Sequence, residues 1–363
     1  MKTKSLINAA LIGCGRIAKK HVDALRSLES QGVNIVGFCD LEVEKCSKFL
    51  VDQSEKVSDD FCKENFLDGC DLAVVLTESG NHYDHARTLL QNGVDVLIEK
   101  PVTLKLEHAK DLCTIEKQTK KKIYVVKQNR FNEPVQRAKE FVEFGYLGKP
   151  QIGTIRVRWC RPQEYYDQAK WRGTWHLDGG VISNQASHHI DLLRWFMGPV
   201  KSVYAIERKF SAHIEAEDTI IATLEFESGA VGTIEATTST RPKNLEGSFS
   251  MQGDKGSFEV SGFAVNEMRY LCSEHRDFQD LTSGDKFENN MDTTDVYGTS
   301  HKAVYGEILR DRMGLDNASV TIEEAIKSLE LIHLIYKSVE LQRPVSMEET
   351  IVSSGRLGRE CFP

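Results

Sequence analysis

The chain predicts an α/β N-terminal domain with a doubly wound parallel sheet, followed by an α+β domain with a large open, mostly antiparallel sheet. Three observations lead there. Over residues 6–127, short apolar, β-rich runs alternate with longer helical stretches. Beyond about residue 150, long alternating strands are joined by tight glycine turns. The chain has 363 residues, 40% of them apolar, more than one hydrophobic core usually fills.

The apolar runs of the first half are Ile7–Ile12, Val33–Cys39, Leu72–Leu76, Val94–Ile98 and Ile123–Val126. Between them the 3.6-residue period predicts helices such as Ile17–Ser30 and His82–Asn92. Strands separated by helices need crossover connections, which makes the sheet parallel. An amphipathic helix, Glu133–Phe144, closes on Gly145 and Gly148. In the second half, Glu225–Val231 and Gln252–Phe258 read as hairpins, because Gly229, Gly253 and Gly256 allow the positive φ of short connections. A helix over His188–Phe196 ends at Gly198-Pro199, and further helices start at Lys302 and span 322–340. The polar stretch 273–300 is expected to be a mobile loop. The expected division is 1–128 for the first domain and 129–363 for the second.

The net charge of −8, with both signs interspersed, argues against nucleic acid as a partner. The apolar stretch after Met1-Lys2-Thr3-Lys4 is too short for a signal segment. No later run approaches the roughly 20 apolar residues of a membrane span, so a cytoplasmic protein without a membrane partner is expected. Nine cysteines are scattered singly, with no Cys-x-x-Cys pair, which indicates neither a disulfide framework nor a zinc site.

Gly13-Cys14-Gly15-Arg16-Ile17-Ala18 follows the first strand and opens the first helix. Gly13 permits the tight turn, Gly15 admits a pyrophosphate close to the backbone, and Ala18 takes the third small position against the sheet. Amides at that helix start suit phosphates, so the domain reads as a dinucleotide-binding Rossmann domain. Asp40 closes the second strand, where a carboxylate accepts from ribose hydroxyls and repels a 2′-phosphate. NAD is therefore expected over NADP. Asp40 can equally cap the segment after it. Thr77–His82 forms the second lip of the crevice, where His82 either touches the cofactor or caps the helix.

Glu99-Lys100-Pro101 ends an apolar strand at the same carboxyl edge. A lysine there can hydrogen-bond a substrate hydroxyl and stabilise a developing alkoxide. Asn184 stands four residues before His188 after the Gly179-Gly180 turn, so on one helix the two share a face. Histidine suits a general base near neutral pH, and asparagine orients a substrate without changing its charge. His189 faces elsewhere, and Asp191 either fixes a histidine tautomer or caps locally. His188, His189 and Asp191 lack a clear third ligand, and hydride transfer needs no metal, so none is expected.

These residues resemble the Gfo/Idh/MocA family of oxidoreductases over nearly the whole chain. The resemblance is carried by the glycine fingerprint, Glu99-Lys100-Pro101, Gln128-Asn129-Arg130-Phe131-Asn132, Trp171-Arg172, and Gly179-Gly180 through His188 and Asp191. It implies a Rossmann domain followed by an open-sheet domain, with Lys100 and His188 as the catalytic pair. It also implies cofactor contacts from Arg16, Ile17, Glu99, Gln128, Trp171 and Arg172. One branch is closer. Arg156–Arg161, Tyr165-Tyr166-Asp167, Trp171–Trp175, Asn184–His189, Glu235–Thr238 and Tyr297-Gly298 with His301 are similar to the bacterial WlbA/WbpB-type dehydrogenases.

That likeness implies oxidation of the 3″-hydroxyl of a UDP-linked N-acetylglucosaminuronic acid, in surface polysaccharide biosynthesis, with Arg161, Tyr165 and Gln185 on the substrate side. Two departures stand out: Asn184 replaces the aspartate of many members, as in that branch, and Glu78 replaces a proline after Thr77. A pyrophosphate and a carboxylate call for cations, and Arg156, Arg158, Arg161, Arg241 and Lys243 are available, though strand alternation separates Arg156 and Arg158 from Arg161. A free sugar or inositol is the alternative substrate, and a non-catalytic nucleotide sensor the alternative class. An exposed sheet face in the second domain leads to the expectation of a homo-oligomer, dimer or tetramer.

Overall fold

The computed structural model describes residues 7–278, 296, 298, 300–316 and 320–359. Most of the polar stretch 273–300, and Tyr297 with it, lies outside the described residues. The chain forms two compact units: Met1–Gln128 with Thr299–Ile326, and Asn129–Gly298 with Lys327–Pro363.

In the first unit, strands β1 (Ile7–Ile12), β2 (Val33–Cys39), β3 (Lys56–Ser58), β4 (Leu72–Val75), β5 (Asp95–Ile98) and β6 (Ile123–Val125) form one sheet in the order β3-β2-β1-β4-β5-β6. Every pairing is parallel. The central strands are mostly apolar, and β4 and β6 are wholly buried, as expected of a sheet covered on both faces. Helices α1 (Ala18–Arg26), α2 (Glu44–Ser47), α3 (His82–Gln91) and α4 (Leu106–Thr119) connect them. The order reverses between β1 and β4, and ligands bind at such a switch point, outside the carboxyl ends of the strands.

β3 has no counterpart in the sequence reading, because three residues carry too little periodicity to register. Helix α1 is also shorter than expected, since Glu29–Gln31 tightens into a 3₁₀ turn that closes on Gly32.

The single division after residue 128 needs correction, because Thr299–Ile326 returns to the first unit. Its helix, ahead of the final long one, spans His301–Arg312 and packs against α1. Val320 then accepts from the Val125 N–H at 2.7 Å, and Thr321 bridges Tyr124, so this segment extends the edge of β6.

The second unit holds an eight-stranded sheet. Its strands are β7 (Pro150–Arg158), β8 (Val200–Arg208), β9 (Thr219–Phe226), β10 (Val231–Thr237), β11 (Glu246–Gly253), β12 (Gly256–Ser261), β13 (Glu267–Ser273) and β14 (Val345–Ser346). The order is β13-β12-β11-β7-β10-β9-β8-β14, antiparallel except where β7 meets β10. Strands β8, β9 and β10 alternate buried and exposed positions, so one face is covered and the other is open. Helices α5 (Glu133–Glu143), α6 (Gln163–Asp167) and α7 (Ser187–Met197) belong to this unit. α5 packs on β12 and β13, and α7 on β7 and β11. With His301–Arg312 as α8, the last long helix, α9 (Ile322–Leu341), contains the unit boundary at 326/327. The described cysteines are all free, with Cys14, Cys39 and Cys46 buried.

Candidate active site

Each expected cofactor-side residue of the first unit follows the carboxyl end of a strand. Gly13 follows β1, Asp40 follows β2, Thr77 follows β4, Glu99 and Lys100 follow β5, and Gln128 follows β6. Gly13 has φ +99°, and a Cβ there would lie 2.9 Å from the Leu76 carbonyl, so the turn admits glycine alone. Cys14 is buried beneath the loop, whereas Gly15 and Arg16 are exposed and Ile17 half-buried. A Cβ on Gly15 would meet nothing within 4 Å. The loop thus presents open backbone at the start of α1, which fits a pyrophosphate.

Asp40 works locally as well. Its Oδ2 accepts from the Cys14 N–H at 2.8 Å and its Oδ1 from the Glu42 N–H at 2.9 Å, tying the glycine loop to the end of β2. It does not cap α2, whose N-cap is Val43. The two lips of the first unit are joined by His82. This ring is buried, its Nδ1 is 2.8 Å from the Pro101 carbonyl and its Nε2 3.0 Å from that of Thr77. Burial holds its pKa below the ordinary histidine value. Sequence offered a cofactor contact or a helix cap; the ring instead straps two turns together, and α3 has no side-chain cap. Thr77 Oγ1 lies 2.9 Å from His85 Nδ1.

Below Lys100 lies a buried network that the sequence reading missed. Glu99 Oε2 accepts from the Lys100 N–H at 2.9 Å, Glu99 Oε1 lies 3.0 Å from His21 Nε2, and His21 Nδ1 lies 2.7 Å from the Tyr305 hydroxyl. Burial alone would raise the Glu99 carboxyl. The His21 hydrogen bond and the charges of His21, Lys100 and His301 outweigh it and hold the pKa well below the usual range. His21, Glu99 and His301 bring possible ligand atoms within 4.8 Å of one another, but both His21 nitrogens already have hydrogen-bond partners. The available signal was His21 itself, a polar residue on the face of α1 that buries Ala18, Val22 and Leu25. Tyr305 gave none, because its place in the first unit is not written in the local pattern.

In the second unit, the residues 178–193 are all buried except Asn184 and His188. His188 is the second residue of α7, while Asn184 lies in the preceding turn. The expectation that both share one regular helix face is therefore corrected: Asn184 N–H donates to the Gly180 carbonyl at 3.1 Å, and α7 begins only at Ser187. Gly180 is fixed by contact, since a Cβ there would fall 1.9 Å from Glu217 Oε2. The Glu217 carboxyl accepts from the Ile182 N–H at 3.1 Å and from the Tyr336 hydroxyl at 3.1 Å. Burial pushes its pKa up to about 8, against the lowering effect of the Ile182 amide. Gln185 is buried, and so is His189, whose pKa burial pushes down to about 4. Asp191 grips Arg130 through two bonds, of 2.7 and 2.8 Å, and accepts from Ser328 Oγ at 2.6 Å.

Tyr165 is flanked by two guanidinium groups. Arg172 lies 4.5 Å from the ring centroid and donates to the hydroxyl at 2.8 Å, while Arg161 lies 5.2 Å from the same centroid. Arg172 also stacks on Trp171 at 4.5 Å. Arg156 and Arg158 are engaged in ion pairs. They pair with Glu246 and Glu259, and with Glu235 and Glu246, across the sheet face. Arg241 spends its guanidinium on the Thr238 and Thr240 carbonyls, and Lys243 is exposed.

A family model described as "Oxidoreductase family, NAD-binding Rossmann fold" matches residues 7–127, and one described as "Oxidoreductase family, C-terminal alpha/beta domain" matches residues 139–347. The fold superposes on the WlbA dehydrogenase of Chromobacterium violaceum, solved with NADH and UDP-GlcNAcA, with a TM-score of 0.84 and 33% identity over 95% of this chain and 97% of that one. The Bordetella pertussis WlbA dehydrogenase, solved with the same two ligands, gives 0.83 and 33% over 95% and 99%. Among curated sequences, the scyllo-inositol 2-dehydrogenase (NAD(+)) of Bacillus subtilis is 24% identical over 75% of this chain and 79% of its own length.

Proposed function

Since the chain belongs to the Gfo/Idh/MocA family of NAD-dependent oxidoreductases, we propose that it oxidises the 3″-hydroxyl of a UDP-linked N-acetylglucosaminuronic acid to the 3-keto sugar. Bound NAD+ supplies the hydride acceptor. His188 takes the hydroxyl proton, Lys100 donates to the oxygen as it becomes an alkoxide, and Asn184 orients the sugar. Gly13, Gly15, Arg16, Ile17 and Asp40 hold the dinucleotide, with Thr77, Glu99, Gln128, Trp171 and Arg172 beside it. The observation that carries this chemistry is the burial pattern around α7: along 178–193 only Asn184 and His188 are not fully buried.

The substrate assignment is supported by the 33% identity to two dehydrogenases solved with UDP-GlcNAcA. The Arg161 and Arg172 pair around Tyr165 adds cationic donors suited to a carboxylate or pyrophosphate, with Gln185 nearby in sequence to Asn184. Exposed Tyr204, Ile206, Ile221 and Val231 on the open sheet face support a homo-oligomer. Among the described residues no helix is long and apolar enough to cross a membrane.

Absorbance at 340 nm with a panel of UDP-sugars and free polyols tests the reading. Turnover of the UDP-uronic acid is expected, and kcat should fall about 10²- to 10³-fold in Lys100→Ala with NAD affinity retained. Full activity of that variant refutes the role of Lys100. Turnover confined to free polyols would favour the second reading, a polyol dehydrogenase, to which the scyllo-inositol enzyme points.

A further inference from the structure

Asp178 is a buried carboxylate, 2% exposed, that the proposed chemistry does not use. Its two oxygens serve different segments. Oδ2 accepts from the Gly173 N–H at 2.7 Å, directly after Trp171-Arg172, and Oδ1 accepts from Asn184 Nδ2 at 2.5 Å. Its own backbone is pinned too: the N–H donates to the Thr174 carbonyl at 3.1 Å, and the carbonyl accepts from Ser183 Oγ at 3.2 Å. Asp178 is therefore placed by its surroundings and not by Asn184.

A carboxylate that accepts from two N–H groups dictates how a facing amide must turn. Only the NH₂ end of Asn184 can face it, so the Oδ1 end points the other way, as an acceptor. An acceptor cannot help the reacting hydroxyl, whose single proton goes to His188. It can hold a donor on the neighbouring carbon. We propose that Asp178 is a positioning residue that locks Asn184 as a hydrogen-bond acceptor for a hydroxyl or amide N–H vicinal to the oxidised carbinol. Through Gly173 it ties that setting to the Trp171–Arg172 turn. The inference rests on the functional reading above, in which Asn184 faces the substrate.

The test is a swap. In D178N the Gly173 N–H still needs an oxygen, so the new amide presents its NH₂ to residue 184 and forces Asn184 to invert. The substrate KM should rise at least about tenfold, with NAD affinity and the thermal midpoint near wild type. N184D alone sets two carboxyl groups 2.5 Å apart and should be at least as impaired. In D178N/N184D the amide at 178 donates to the carboxylate at 184, which again offers an oxygen to the substrate, and KM should return to within about threefold of wild type. N184A, which removes the acceptor and keeps Asp178 braced, should raise KM as D178N does. If D178N fails to fold, N184A and the tenfold or larger gain of the double variant over N184D carry the test. Wild-type KM in D178N or N184A, or a folded double variant no better than N184D, overturns the inference. A wild-type enzyme that turns over nothing in the panel overturns the functional reading first.

Discussion

Asp191→Ala removes one partner of a charge pair whose two side chains are 2% and 3% exposed. The Arg130 guanidinium makes both bonds to this carboxylate and lies 4.8 Å from the Trp195 ring centroid, so no water replaces the lost anion cheaply. Breaking a buried pair from one side costs about 3–5 kcal/mol, because the remaining charge is left uncompensated. Ser328 Oγ loses its acceptor as well, worth about another 1 kcal/mol. At about 2–4 °C per kcal/mol for a body of this size, the midpoint should fall by about 8–24 °C. Differential scanning fluorimetry or circular dichroism reads this directly. The loss should be similar at low and high salt, since a buried pair is poorly screened. Arg130→Met combined with Asp191→Leu removes both charges and should recover most of the loss. A fall under about 3 °C in the single variant, or a double variant no more stable than the single, refutes the reasoning.

Glu217 makes stability pH-dependent. Its folded pKa, near 8, lies above its ordinary value of 4.5, so the native state holds a proton that the unfolded chain releases between those values. Stability from this group is complete below about pH 4.5 and is lost toward pH 8, by at most about 1.4 kcal/mol per pH unit. Glu217→Gln should flatten the thermal midpoint over pH 5–8, and an unchanged slope counts against the neutral carboxyl. Gly13→Ala forces a Cβ to within 2.9 Å of the Leu76 backbone at positive φ. We expect at least about a tenfold weaker NAD affinity by titration calorimetry, and wild-type affinity would show that the turn tolerates a side chain.

The parallel half was legible because its strands are short, continuous apolar runs bounded by glycine and polar residues. β1 and β2 begin and end where the pattern does, at Ile7–Ile12 and Val33–Cys39. The second sheet was legible through alternation and through turns such as Gly229, which has φ +83°. What the pattern does not encode is where a helix docks. α8 reads as an ordinary amphipathic segment of the second half, yet Tyr305 hydrogen-bonds His21, 284 positions away. A spacing of four likewise fits a helix or a turn, and only the N-cap at Ala186 shows that residue 184 precedes α7.

The same limit explains which candidate residues are legible in the sequence. Lys100, Asn184 and His188 announce themselves by chemistry at a strand end or after a glycine turn, and that is independent of their partners. The groups that hold such residues are carboxylates, buried for Glu99 and Asp178 and half-buried for Asp40, and their value lies in what they accept: Asp40 takes the Cys14 amide, Glu99 the Lys100 amide and Asp178 the Asn184 amide. A carboxylate suits each place because an ionised oxygen only accepts, so it fixes the direction of the facing N–H without ambiguity, whereas an amide could turn over. Burying such a group is costly unless its donors are waiting, and those donors come from turns distant in pattern though often close in chain. Local sequence therefore displays the groups proposed to react, while the groups that aim them become visible only when each carboxylate oxygen is traced to the N–H it receives.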